Sequence, residues 1–395
     1  MHAERGRCKK IRVLHVITRM ILGGAQENTL MTAVRLDRSR YDVTLASGPT
    51  YGPEGSLEGR IPDDLPLVRI PDLVRDPHPL KDLRALAALA RVVRLGRYHI
   101  VHTHTTKAGL LGRIAARWAG TPVVVHTPHG HAFHSFLNAP GSAALVWVER
   151  AVARWTDRII CLTEAERRDH LNLRIGPPGR FEVIHSGVDL GRFGKVTATQ
   201  AALRMSFGVP ATGSIIACVA RLAPVKGVRY LIEAMPRVRD AVPAATAVIV
   251  GDGPERAKLQ ARASALGLNG AVKWLGLRTD VPEIMSLADV VVLPSLNEGM
   301  GRVVVEAFAA GRPVVGSRVS GIQDLVADGE TGYLVPSGDP RAIAEAVVCC
   351  LRDPERARAM GISAQRTAAA FSAERMVAKI DALYARLLAA KGCPA

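Results

Sequence analysis

At 395 residues and 48% hydrophobic, the chain is too long for one hydrophobic core and too apolar to be disordered, so two domains are expected. Its formal net charge of +16 invites an anionic partner, but aromatics are only 4% and no nucleic-acid-binding motif is present. Nucleic acid is therefore excluded, and no apolar run approaches the roughly 18–20 residues that would span a bilayer.

The first candidate strand, "IRVLHVIT", is interrupted by Arg12 and His15 and followed by Arg19. It reads as a strand rather than a signal peptide, which sets the expected compartment as the cytosol. Further strand-length apolar runs follow: "YDVTLAS", "LPLVRI", "YHIVHTHT", "TPVVVHT", "DRIICLT" and "FEVIHSG". Helical stretches such as "KDLRALAALARVVRLG" and "KAGLLGRIAARWAG" lie between them. Strand–helix alternation of this kind predicts a doubly wound parallel sheet.

"VDLGRFGKVTATQ" has no periodicity and reads as a linker, placed at 191–212. A second α/β set then begins, with strands "SIIACVAR", "ATAVIVGDG", "AVKWLG", "ADVVVLPS", "RPVVGS" and "TGYLVPSG". The expected organisation is a Rossmann-like domain over 1–190, the linker, a second over 213–371, and a C-terminal helix and tail over 372–395 packing back on the first. Two such domains facing a central cleft would bind ligands beyond the carboxyl ends of their strands.

Charge is uneven. Before His185 there are 27 basic and 17 acidic residues, and after it 25 and 19. From Leu83 to Trp155, nine Arg or Lys face one acid, Glu149. Such a stretch suits an anionic membrane or a phosphorylated substrate, or reflects an Arg-rich composition. Six cysteines show no ligand-like spacing and read as small apolar or incidental residues.

Seven of the twelve histidines fall between His99 and His134. His102 and His104 put two rings on one face of a strand end, as a metal site requires, and "HTPHGHAFHSF" follows. A metallohydrolase is thus a rival reading. It is weakened because only His170 and His185 follow, with no Asp/His set on later strands to complete a shell.

In the second half, Arg221 ends a strand and Lys226 follows in the next loop or first helical turn. Two cations there suit a diphosphate, Arg through bidentate hydrogen bonds and Lys as a point charge. Gly251 and Gly253 make a tight turn into a helix, a weak nucleotide signal alone. Glu298 sits in the loop after a strand, and Gly299 and Gly301 open a helix whose backbone amides can approach an anion. Glu306 is eight residues on, about 12 Å along the axis. A carboxylate inside "VVVEAFAAG" is costly to bury unless hydrogen-bonded.

"ARLAPVKG", "VGDGPE", "ADVVVLPSLNEGMGRVVVEAFAAGRPVVGS" and "GETGYLVPSGDP" resemble the donor half of family 4 retaining glycosyltransferases with the GT-B fold, whose hallmark is the E-x7-E pair. "GGAQ", "TPHGH" and "IHSGVDLGRF" extend the resemblance over essentially the whole chain. It implies that Arg221 and Lys226 bind the donor diphosphate, that Glu298 contacts the transferred sugar, and that Glu306 accepts from ribose hydroxyls. Met300 and Gly301 would offer backbone amides, and Gly23 and Gly24 would let the N-terminal loop approach the diphosphate. His129 would lie beside the donor sugar. His131, His134 and, less closely matched, Glu164 would stand on the acceptor side, whereas His126 reads as a structural strand residue. Backbone near Gly276 and Leu277 would read the base. One departure is Met300, where the family often has Phe.

The reaction so implied is transfer from a nucleotide sugar, with UDP the default, to an acceptor hydroxyl. It needs no metal, cofactor or protein nucleophile. The basic first half suggests a membrane-surface enzyme, and the resemblance of "HTPHGHAFHSF" to family members of that kind implies a polyprenyl-diphosphate-linked saccharide acceptor at the inner face of the cell membrane. A small soluble acceptor, a non-hydrolysing nucleotide-sugar epimerase and a non-catalytic sugar-nucleotide binder are the alternatives.

Overall fold

The computed structural model describes residues 10–52, 55–130 and 139–393. Its strands are β1 Ile11–Ile17, β2 Tyr41–Ser47, β3 Leu67–Arg69, β4 Ile100–His104, β5 Val123–Thr127, β6 Arg158–Cys161 and β7 Phe181–Val183, then β8 Ile215–Val219, β9 Thr246–Val250, β10 Val272–Gly276, β11 Val290–Leu293, β12 Val314–Ser317 and β13 Gly332–Val335. All thirteen coincide with the strand-length runs read in the sequence.

The helices are α1 Gly24–Arg35, α2 Pro79–Gly96, α3 Thr106–Trp118, α4 Ala139–Ala153, α5 Glu164–Asn172, α6 Gln200–Phe207 and α7 Val228–Ala241. The remainder are α8 Arg256–Ala265, α9 Val281–Leu287, α10 Arg302–Ala309, α11 Ser320–Gln323, α12 Pro340–Arg352, α13 Pro354–Ala368 and α14 Ala373–Ala390. Their starts carry local signals. Asp339 accepts from the Arg341 and Ala342 amides before α12, with Pro340 at the first helical position.

Every strand pair is parallel, and the two sheets run β3-β2-β1-β4-β5-β6-β7 and β10-β9-β8-β11-β12-β13. Both are doubly wound. Strand order reverses between β1 and β4 in the first sheet, and between β8 and β11 in the second, so each has a switch point where ligands characteristically bind. The central strands are near-continuous apolar runs because helices cover both faces. On one face of the first sheet, Leu30 and Ala33 of α1 and Met376, Ile380, Leu383 and Leu387 of α14 form the core. On the other, α2 and α3 supply Leu86, Leu89, Val93, Leu111 and Ala115. In the second sheet α7 and α12 bury Leu231, Met235, Ile343 and Val347.

The chain divides into two compact units: Met1–Leu162 with Arg167–Ile184 and Met376–Ala395, and Thr163–Glu166 with His185–Arg375. The 191–212 segment differs from a plain linker. It belongs to the second unit and contains α6, with Thr199 accepting from the Ala202 amide at its start and Gly208 in the left-handed conformation at its end. Leu203 and Phe207, four residues apart, are its buried stripe. Two buried side chains give too little periodicity to stand out in sequence, but the Thr199 and Gly208 caps were a usable signal.

Candidate functional site

Lys226 and Glu298 meet at the β8/β11 switch point of the second unit, and the backbone of Arg221 lies just beyond the end of β8 there. Arg221 follows β8, and Lys226 closes a 3-10 turn, Pro224–Lys226. Gly227 ends that turn at φ +60, and a Cβ there would stand 2.0 Å from the Pro294 carbonyl oxygen, so only glycine lets the turn lie against the end of β11. Across that approach the Lys226 Nζ donates to Glu298 Oε1 at 2.6 Å. Both side chains are largely screened from water, at 26% and 11% exposure. Ser295, fully buried in "PSLNEG", donates its hydroxyl to the same Oε1 at 2.9 Å. Sequence reading missed Ser295, although its position three residues before Glu298 was visible.

The glycine turns were correctly placed, and the structure shows why they are glycine. Gly251 has φ +127, and its Cβ would fall 2.0 Å from the Ala220 carbonyl oxygen, one residue before Arg221. The backbone after β9 therefore lies directly against the backbone after β8. After β11, a Cβ on Gly321 would meet the Glu298 carbonyl oxygen at 2.5 Å, while Gly321 accepts from the Gly301 amide at 2.8 Å. The Gly301 amide is thus engaged by α11. Among the described residues the Gly299 and Met300 amides have no protein acceptor. Met300 is buried and its sulfur accepts from the Ser186 amide at 3.1 Å, so its side chain packs inward. Glu306 is the fifth residue of α10 and half-buried. Leu277 is exposed just after Gly276, whose carbonyl accepts from the Gly251 amide at 2.7 Å.

The remaining candidates are placed by their own elements. Gly23 and Gly24 form the entry to α1, where the Gly23 carbonyl accepts from the Glu27 amide. Glu164 opens α5 and is exposed, and the next amide, of Ala165, donates to Asp324. His131 and His134 lie outside the described residues.

In the first unit His129 follows β5 with φ +62, a left-handed conformation that costs a non-glycine residue roughly 1–2 kcal/mol. Its Nε2 is 3.0 Å from His104 Nδ1, and His104 Nε2 is 3.0 Å from His15 Nδ1. His15 was not connected to this cluster in the sequence. It comes from β1, directly opposite His102 in the β1/β4 register. A lone polar residue inside "VLHVI" was the only hint. Burial lowers the His15 pKa to about 3, with the Arg38 charge adding to the effect. Burial likewise holds His102, His104 and His126 well below the usual histidine range. His126 is structural, as expected: its Nδ1 lies 3.0 Å from the Thr103 hydroxyl, and Gly109 packs against its ring.

Ring nitrogens of His15, His102 and His104 lie within 4.8 Å of one another, a spacing compatible with a metal. The lone pairs do not converge, however. His102 Nδ1 faces the Tyr384 hydroxyl at 2.6 Å and its Nε2 faces the Thr127 hydroxyl at 2.8 Å, while His15 Nδ1 and His104 Nε2 face each other. Hydrogen bonds account for the grouping.

Residues 200–367 match the family described as Glycosyl transferases group 1, and residues 23–187 match Glycosyl transferase 4-like domain. The chain is 32% identical over 342 residues to the UDP-Gal:alpha-D-GlcNAc-diphosphoundecaprenol alpha-1,3-galactosyltransferase of Escherichia coli, covering 86% of this chain and 87% of that one. It is 33% identical to the D-inositol 3-phosphate glycosyltransferase of Salinispora arenicola, over 78% and 72% of the two chains. Among solved structures, Anabaena HepE in complex with UDP and glucose superposes with a TM-score of 0.82 at 25% identity, covering 95% of this chain and 100% of that one.

Proposed function

Because the chain belongs to the group 1 glycosyltransferases, we propose that it transfers a sugar from a UDP-linked donor to a polyprenyl-diphosphate-linked saccharide, with retention and without a metal ion. The observation that carries this reading is the Arg221, Lys226 and Glu298 set at the β8/β11 switch point. The acceptor hydroxyl forms a bond to the anomeric carbon as the bond from that carbon to the diphosphate oxygen breaks. The acceptor proton passes to the departing phosphate, which retains the electron pair. Arg221 and Lys226 stabilise the charge growing on that leaving group, the largest electrostatic demand of the step. Glu298 holds Lys226 in place and takes sugar hydroxyls, and Glu306 takes the ribose. The Gly299 and Met300 amides donate to sugar or phosphate, Gly23 and Gly24 admit the diphosphate, and His129 contacts the sugar.

UDP is supported by the HepE complex, and the lipid-linked acceptor by the named substrate of the Escherichia coli relative. A membrane-surface acceptor also fits the first unit. The exposed side of α2 carries Arg84, Arg91 and Arg94 with Leu80, Leu83 and Leu95, and that of α4 carries Trp147 and Arg150, with Arg154 exposed just after the helix. Cations interleaved with aromatic and aliphatic side chains suit an anionic bilayer surface. The Salinispora relative favours a second reading, a small soluble phosphorylated acceptor.

The test is Lys226→Ala. We expect kcat to fall by about 10²–10³-fold with cooperative unfolding retained, the range seen when one charge-stabilising donor is removed. Near-normal turnover in that variant contradicts the assignment.

A further inference from the structure

His129 ends a chain of three imidazoles that runs from the core of the first sheet. His15 and His104 rings are inclined by only 18°, and His104 and His129 by 30°, with both nitrogen pairs at 3.0 Å. The ring centroids of each pair are 5.2 Å apart, close to the largest separation a 3.0 Å nitrogen contact allows, so each contact runs along the ring planes, where the N–H and the lone pair point. His102 stands beside this chain but outside it, because hydroxyls of Tyr384 and Thr127 take both of its nitrogens. Burial keeps His15 and His104 neutral, so each carries one N–H and one lone pair.

Two proton orders satisfy such a chain. In one, His129 Nε2–H donates to His104, and His104 Nε2–H donates to His15. His15 must then carry its proton on Nε2, which is buried and has no partner among the described residues. In the other, His15 Nδ1–H donates to His104 Nε2, and His104 Nδ1–H donates to His129 Nε2. That order leaves only a bare lone pair at His15 Nε2. A buried N–H without an acceptor is the rarer and costlier defect, so the second order prevails.

We propose that His104, itself oriented by His15, is a positioning residue that fixes the proton of His129 on Nδ1. His129 then meets the nucleotide sugar as a hydrogen-bond donor to a hydroxyl or phosphate oxygen, its other nitrogen being occupied by His104. The catalytic consequence rests on the reading that His129 contacts the donor; the tautomer does not. The left-handed backbone at His129 is consistent with a ring whose direction is imposed from beneath.

Nitrogen-15 NMR of the full-length, histidine-labelled protein tests the order directly, with the His129 resonances assigned by their loss in His129→Gln. The expected spectrum has a protonated, pyrrole-type Nδ1 and a pyridine-type Nε2 at His129. A protonated Nε2 overturns the proposal without any need for a folded variant of His104. In kinetics with a UDP-sugar, His104→Phe is expected to lower kcat about tenfold with donor KM within about twofold, the loss of one orienting hydrogen bond. His104→Asn, whose amide can donate near the Nδ1 position, is expected to recover most of that loss. Unchanged kcat in His104→Phe, or no recovery in His104→Asn, removes the positioning role. If His129→Gln itself turns over at the wild-type rate, the donor-contact reading fails instead, while the tautomer spectrum still decides the relay.

Discussion

Lys226 sits in a turn whose glycine allows it to reach Glu298, and Glu298 is held in turn by Ser295. On the proposed reading of Lys226 as a diphosphate ligand, the cation is oriented before the donor arrives, and little reorganisation remains for the reaction to supply. Arg221, Lys226 and Glu298 were legible in the sequence because each follows a strand within a short motif. Ser295 and His15 were less legible, since their significance comes from side-chain direction and from β1/β4 register. The buried histidines carry a consequence for stability. His15, His102, His104 and His126 are neutral in the fold but bind protons once unfolded below the ordinary histidine value of about 6.5. Between that value and the lowered folded values the unfolded chain binds more protons, so stability falls as pH falls. Each histidine adds a slope of roughly 1.4 kcal/mol per pH unit. Urea unfolding at pH 7.5, 6.5 and 5.5 should show a midpoint that drops steeply only below about 6.5. A flat midpoint over that range contradicts neutral burial.

At the level of elements, α3 and α4 are joined by a buried ion pair. Arg113 is fully buried, its Nη2 lies 2.8 Å from both Glu149 oxygens, and its Nε donates to the Gly109 carbonyl. Glu149 is the single acid that the sequence set against nine cations, and the structure spends it internally. The exposed arginines of α2 and α4 therefore keep their charge for a partner. Removing Glu149 strands a buried guanidinium, so Glu149→Ala should destabilise by about 3–5 kcal/mol, whereas a paired Arg113→Met/Glu149→Leu variant should regain most of it. Denaturant midpoints at constant m-value measure both. A second element, α14, closes the first unit: Tyr384 reaches His102, and Asp381 accepts from Tyr41 and Arg40. Its apolar period was readable, but its polar partners from β2 and β4 were not, since they lie hundreds of residues away in sequence. α6 was missed for the opposite reason: its pattern is too short to exceed the noise of a loop.

At the scale of the molecule, the thirteen parallel strands of the described residues, in two doubly wound sheets, follow directly from alternating apolar runs and helices, which is why the fold was the most legible property. The charge is less determinate, because a sequence count does not say which cations remain exposed. With Glu149 paired internally, the α2 and α4 surface predicts binding to vesicles containing anionic phospholipid and release as salt rises from about 0.05 to about 0.5 M, where the Debye length shortens from about 14 to about 4 Å. Substituting Arg84, Arg91 and Arg94 together by Gln should weaken that binding about a hundredfold in vesicle co-sedimentation, at about 1 kcal/mol per cation near the surface. Equal binding to neutral and anionic vesicles contradicts the surface role. The central claim is sugar transfer, and it is tested most directly by incubating the purified full-length protein with UDP-sugars and a polyprenyl-diphosphate-linked saccharide. The account predicts acceptor-dependent release of UDP and a lipid-linked product whose new linkage keeps the donor's anomeric configuration, and conversion of the donor to an isomer without acceptor would contradict it.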